Sequence, residues 1–64
     1  MNEAETLRDE YGCDQIEYLG DGLYAGFDGY QIWLCCRRDG RMHAVAIEPA
    51  VFRKLRVYGE ETPA

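Results

Sequence analysis

The chain contains no serine, a single histidine and no glycine-rich phosphate loop at a strand-to-helix junction. A serine nucleophile or a phosphate cradle therefore has nothing to be built from. Neither a Cys-x-x-Cys pair nor a His-x-x-x-His pair occurs, so zinc-ligand spacing is missing. The longest apolar run, Ile32 to Cys36, is far short of the roughly 20 residues that span a bilayer. The opening MNEAETL is acidic and has neither the basic stretch nor the apolar core of a secretory signal. These absences predict a cytoplasmic protein that is not an enzyme, with no metal, no cofactor and no membrane contact.

The thiols fit that compartment. Cys13, Cys35 and Cys36 are odd in number, and neighbours on a strand point to opposite faces, so Cys35 and Cys36 are poorly placed to bridge each other. Reduced thiols are expected. His43 falls opposite Cys36 across a hairpin, but that pairing supplies neither oxyanion donors nor a pocket for nucleophilic chemistry.

What is present is a folding sequence of 64 residues, 47% hydrophobic. It is read as one domain, 1–64, near the size at which a single core is only marginally sufficient. The net charge of -5 hides a sharper division. Residues 1–28 carry Glu3, Glu5, Asp9, Glu10, Asp14, Glu17, Asp21 and Asp28 against Arg8 alone. Residues 29–59 carry Arg37, Arg38, Arg41, Arg53, Lys54 and Arg56 against Asp39 and Glu48. A bipolar chain of this kind steers its partners, a second copy included.

Asp-Gly occurs at 21–22, 28–29 and 39–40, each time between alternating apolar residues, which is the sequence signature of a two-residue hairpin. Counting outward from the three turns predicts a four-stranded antiparallel meander with strands near 14–20, 23–27, 30–38 and 41–48. It also places Ile16, Tyr18, Leu23, Ala25, Phe27, Tyr30, Ile32, Leu34, Val45 and Ile47 on one face, the expected core, with Ile32 and Leu34 deeply buried. A C-terminal helix over 49–58 is predicted to cover that face. Pro49 opens it, Val51, Phe52, Leu55 and Tyr58 recur at helical spacing, basic residues lie near its C-terminal end, and Gly59 stops it. A short N-terminal helix over 2–11 starts with an Asn2–Glu5 capping box, shows a narrower stripe of Ala4, Leu7 and Tyr11, and ends at Gly12. The fold class is thus α+β, with residues 60–64 expected to fray.

The same count puts Leu19, Tyr24, Trp33 and Ala46 on the opposite face. A helix-covered antiparallel sheet often leaves that side in water, where it should read polar. An apolar strip bordered by carboxylates has the make-up of a binding surface, and the alternative is that the two helices pack on opposite faces and bury it. The arginines could touch nucleic acid, but a net negative chain is repelled by phosphate, and no direct nucleic-acid binding is expected.

Carboxylates crowded in NEAETLRDEYGCDQIEYLGDG, on a compact sheet with helices and without a catalytic motif, give this chain a profile that resembles the small acidic phage-encoded anti-CRISPR proteins. The resemblance implies a stoichiometric inhibitor that binds a DNA-handling subunit of a CRISPR effector complex in the bacterial cytoplasm and blocks access to target DNA. The arginine-rich second half departs from a uniform DNA mimic, so mimicry and simple occlusion both stay open. The residues expected to carry the contact are Glu3, Glu5, Asp9, Glu10, Asp14, Glu17, Leu19, Asp21, Tyr24 and Trp33. Two alternatives stand beside this reading: a small domain that self-associates through the Leu19–Tyr24–Trp33 strip, and a weak nucleic-acid binder using the arginines.

Overall fold

A computed structural model describes residues 2–63. Its elements are α1 (Glu3–Tyr11), β1 (Asp14–Gly20), β2 (Leu23–Phe27), β3 (Ile32–Arg38), β4 (Arg41–Ile47) and α2 (Pro49–Glu61). The strands form one antiparallel meander in the order β1-β2-β3-β4, so the α+β class and the strand order are as expected.

Two of the three Asp-Gly pairs make the turns their chemistry demands. Asp21 and Gly22 lie at φ 53° and 81°, and Asp39 and Gly40 at 55° and 74°, the paired left-handed conformation that joins Gly20 to Leu23 and Arg38 to Arg41. Asp28-Gly29 behaves differently. Phe27 pairs with Ile32, not with Tyr30, so residues 28–31 form a four-residue loop. The Asp28 side chain explains it, because Oδ1 accepts the backbone N–H of Tyr30 at 2.9 Å and of Gln31 at 2.8 Å. A carboxylate that bonds the backbone two and three residues on offers a wider turn than the two-residue hairpin.

Strand β1 departs from simple alternation twice. Register shifts fall between Asp14 and Glu17, where Gln15 takes φ 53°, and between Tyr18 and Gly20. Each bulge adds one residue and exchanges the faces of those beyond it. Tyr18 consequently pairs with Tyr24 and Glu17 with Ala25, the reverse of the alternation expected from the turn. Ile16 and Tyr18 therefore leave the predicted core face, and Glu17 joins it.

The larger correction concerns which face is the core. Leu7 of α1 is 0% exposed, and it forms the buried centre with Cys13 and Cys35. Tyr11, Ile16, Tyr24, Trp33, Met42 and Ala44 pack around them. This is the face predicted to be free. The predicted core face is open: Ile32 and Leu34 are only half-buried, and Val45 is 56% exposed. Leu23, Ala25 and Ile47 are half-buried and Phe27 is exposed, while Tyr30 stands in the loop and is exposed too.

Connection length accounts for the inversion. Two residues, Gly12 and Cys13, join α1 to β1, and Gly12 at φ 67° turns the chain back so that α1 lies across β1, β2 and β3. The Asn2–Glu5 box fixes the other end, with Glu5 N–H donating to Asn2 Oδ1 at 2.8 Å and Asn2 N–H donating to Glu5 Oε1 at 3.1 Å. At the far end of the chain a single extended residue, Glu48, separates β4 from α2. Strand-to-helix connections that fold back ordinarily need about 2–6 residues. Helix α2 accordingly projects from the sheet, and among the described residues it packs extensively on no other element.

α2 also runs past its predicted stop. Gly59, Glu60 and Glu61 are helical, which leaves Arg53, Lys54 and Arg56 in the middle turns and two carboxylates at the C-terminal end. Glu60 and Glu61 do not fray as expected, and Ala64 lies outside the described residues.

Candidate interaction surface

Two surfaces stand out, one charged and one apolar, on different sides of the sheet. The charged one follows from α1 and β1. Packing Leu7 against the sheet turns the rest of the helix outward, so Glu5, Asp9 and Glu10 are exposed and Glu3 is half-buried. Asp14 is exposed on β1, the edge strand beside it, and Asp21 in the turn that follows, while Glu17 is exposed on the open face of the same strand. Six of the expected contact carboxylates are thus in water within the first third of the chain. The basic residues Arg41, Arg53, Lys54 and Arg56 belong to the opposite edge strand and to α2, and all are exposed. Arg38 ties the two sides together, its guanidinium donating to the Asp21 carbonyl at 2.9 Å.

The three apolar members expected at this surface separate. Leu19 is exposed, but it lies on the open face with Glu17, Ala25, Phe27 and Ile32 around a shallow concavity of about 430 Å³. Tyr24 and Trp33 lie beneath α1. The Trp33 ring stacks on Tyr11 with centroids 4.2 Å apart and planes 23° apart, and its indole N–H donates to Asp28 Oδ2 at 2.8 Å. Tyr24 is covered by Tyr18 at 4.9 Å. A ring stacked on one side and hydrogen-bonded at its edge is a structural anchor, and the strip of Leu19, Tyr24 and Trp33 does not exist as one surface.

Asp28 is the residue that sequence reasoning missed. Hydrogen bonds from Gln31, Trp33 and Tyr30 all favour its charged form and pull its pKa from 3.8 to about 2. An aspartate opening a loop, with a tryptophan five residues later at the start of the next strand, was the available signal. The buried thiols respond to the same neighbourhood. Burial raises the Cys13 pKa, with the Asp28 and Asp14 carboxylates adding to it, and burial with Glu3 nearby raises that of Cys35. Both are poor nucleophiles. Cys36, on the open face, lines a second concavity with Leu23, Leu34, His43 and Val45.

The apolar surface was, apart from Leu19, expected to be core. Leu19, Leu23, Ala25, Phe27, Ile32, Leu34, Val45 and Ile47 run across all four strands, and Phe52 of α2 meets its end near Phe27 and Ile47. Exposed apolar surface of this continuity is a feature shared by protein-binding surfaces. Among the described residues no three His, Cys, Asp or Glu side chains gather as metal ligands, and no helix is long and apolar enough to cross a membrane. No family model matches the chain, and neither a curated protein nor a solved structure matches it.

Proposed function

We propose that this chain is a non-enzymatic, protein-binding inhibitor of the anti-CRISPR kind. It covers a basic, DNA-handling surface of a CRISPR effector subunit in the bacterial cytoplasm. The observation that carries the reading is the predominantly acidic display of Glu5, Asp9, Glu10, Asp14 and Asp21, all exposed on α1, the adjoining edge strand and its turn, where Arg8 is the one cation of the helix. A groove built to hold phosphates attracts such an array by the same long-range electrostatics, which speeds encounter more than it strengthens the final contact. Tyr24 and Trp33 leave the contact set, because their rings support α1 from beneath.

The test is competition. Purified effector complexes are incubated with labelled target duplex, with and without the chain, and retention of the duplex is followed in a gel. The reading expects loss of duplex retention, weakening with added salt. It also expects that Asp9→Lys with Glu10→Lys abolishes the effect while the circular dichroism of the fold is kept. Full duplex retention by every complex tested, or inhibition unaltered by the charge reversal, overturns it.

A further inference from the structure

Among the described residues, two apolar surfaces are left largely uncovered within a single copy, meeting only where Phe52 approaches Phe27 and Ile47. One is the open sheet face. The other is the stripe of Val51, Phe52, Leu55 and Tyr58 on α2, all four exposed. At 100° per residue these four fall within one side of the helix, with Arg53 and Val57 on the other. The 13 residues of α2 make a rod about 20 Å long, close to the roughly 23 Å of a seven-residue strand. Helix and sheet are matched in length and in character, yet the one-residue link at Glu48 keeps them apart in a single copy.

We infer that the occupant of both surfaces is a second copy of this chain. The two copies exchange α2 reciprocally, each helix laying its apolar stripe along the open sheet face of the other. Four observations converge on this. An isolated helix of about 12–15 residues is marginal in water, and α2 also ends on Glu60 and Glu61, which oppose its dipole. The accessible surface of 4796 Å² exceeds by roughly 600 Å² what a folded chain of this mass exposes. Two copies together therefore carry roughly 1,200 Å² in excess, the lower limit of a specific interface. The radius of gyration of 12.2 Å likewise exceeds the roughly 10.7 Å of a closed chain of this length. Charge agrees as well. Glu17 is the charged residue lining the largest concavity of the open face, and the helix that would enter brings Lys54 and Arg56 beside its stripe.

A strand followed at once by a helix that cannot fold back is the geometry that favours exchange of an element between copies, and a two-fold exchange closes without leaving a further sticky end. The inference goes beyond the inhibitor reading and does not rest on it. The dimer uses the sheet face opposite α1 and leaves Glu5, Asp9 and Glu10 free.

Leu55 and Val57 provide the test, because they are 47% and 46% exposed on the same helix of one copy but face opposite ways. Sedimentation equilibrium of the full chain is expected to give twice the 7.4 kDa monomer mass. Leu55→Glu and, on the sheet, Val45→Glu should each raise the dissociation constant by about 30-fold or more, while Val57→Glu leaves it unchanged. Unfolding of Leu55→Glu beside an intact Val57→Glu dimer supports the exchange equally, since a single copy gives no reason to distinguish the two sites. A wild-type chain that stays monomeric throughout the micromolar range, or equal behaviour of Leu55→Glu and Val57→Glu, overturns it.

Discussion

One face of the sheet carries Trp33, Cys35, Met42 and Ala44 beneath α1, while the other carries Leu34 and Val45 in the open, with α2 of the same copy reaching only its end at Phe27 and Ile47. The uncovered face holds the larger aliphatic side chains. What decides burial here is reach. Two residues with a left-handed Gly12 let α1 return to the sheet, and one extended residue sends α2 away from it. Apolar content thus marks a surface as needing cover, while the adjoining connection decides whether the cover comes from the same chain. The same division bears on stability: the α1 side holds the buried centre of the monomer, and the open side contributes half-buried and exposed side chains.

The sharpest way to break this comparison is to truncate one leucine on each side. Leu7→Ala removes the most buried side chain of the chain and should cost about 2–5 kcal/mol in denaturant unfolding. Leu34→Ala, on the half-buried open face, should cost about 1 kcal/mol or less when both are measured in the Leu55→Glu background, where no second copy contributes. Equal losses would mean that the two faces are equivalent.

Much of this was written in the sequence, and the failures have identifiable causes. The turns at 21–22 and 39–40 and the Asn2–Glu5 cap depend on local chemistry and were legible. The loop at 28–31 depends on what the Asp28 carboxylate does, and the first bulge of β1 turns on Gln15 adopting a conformation that glutamine seldom takes. The core face was misassigned because Ile32-Trp33-Leu34-Cys35-Cys36 is apolar on both sides, so alternation ranks neither face above the other. Of the candidate contact residues, the exposed carboxylates were legible from composition, whereas the positions of Tyr24 and Trp33 depended on the unread connection lengths.

A pair of glycines sharpens the contrast at lower energy. A Cβ at Gly26 would lie 2.7 Å from the Cys13 Cβ and 3.0 Å from its Sγ, whereas one at Gly59 meets nothing within 4 Å. Gly26→Ala should therefore destabilise by about 1–3 kcal/mol through overpacking beneath α1. Gly59→Ala, inside the uncovered helix, should stabilise by up to about 1 kcal/mol. Thermal unfolding of both variants separates a packed region from an unpacked one, and a tolerated Gly26→Ala would show that Cys13 is free to move.

Acid offers a smaller effect confined to the α1 side. The Asp28 pKa is lower in the folded chain, about 2 against 3.8, so its stabilisation is complete above about pH 4 and is lost as pH falls toward 2. Wild type should exceed Asp28→Asn in stability at neutral pH, and the two should converge at the acid end, as read by Trp33 fluorescence during unfolding. A gap that persists unchanged to pH 2 would remove the charge of Asp28 from the account.

The central claim, that the core lies under α1 and the opposite face is open, meets its most direct test at two adjacent residues. Cys35 is buried on the α1 side and Cys36 stands on the open face. Native Leu55→Glu protein is treated briefly with a maleimide, and the labelled positions are read by fragment mass spectrometry. The account predicts label on Cys36, with Cys13 and Cys35 protected until the chain unfolds. Rapid labelling of Cys35 with Cys36 protected would place the core on the other face and contradict it.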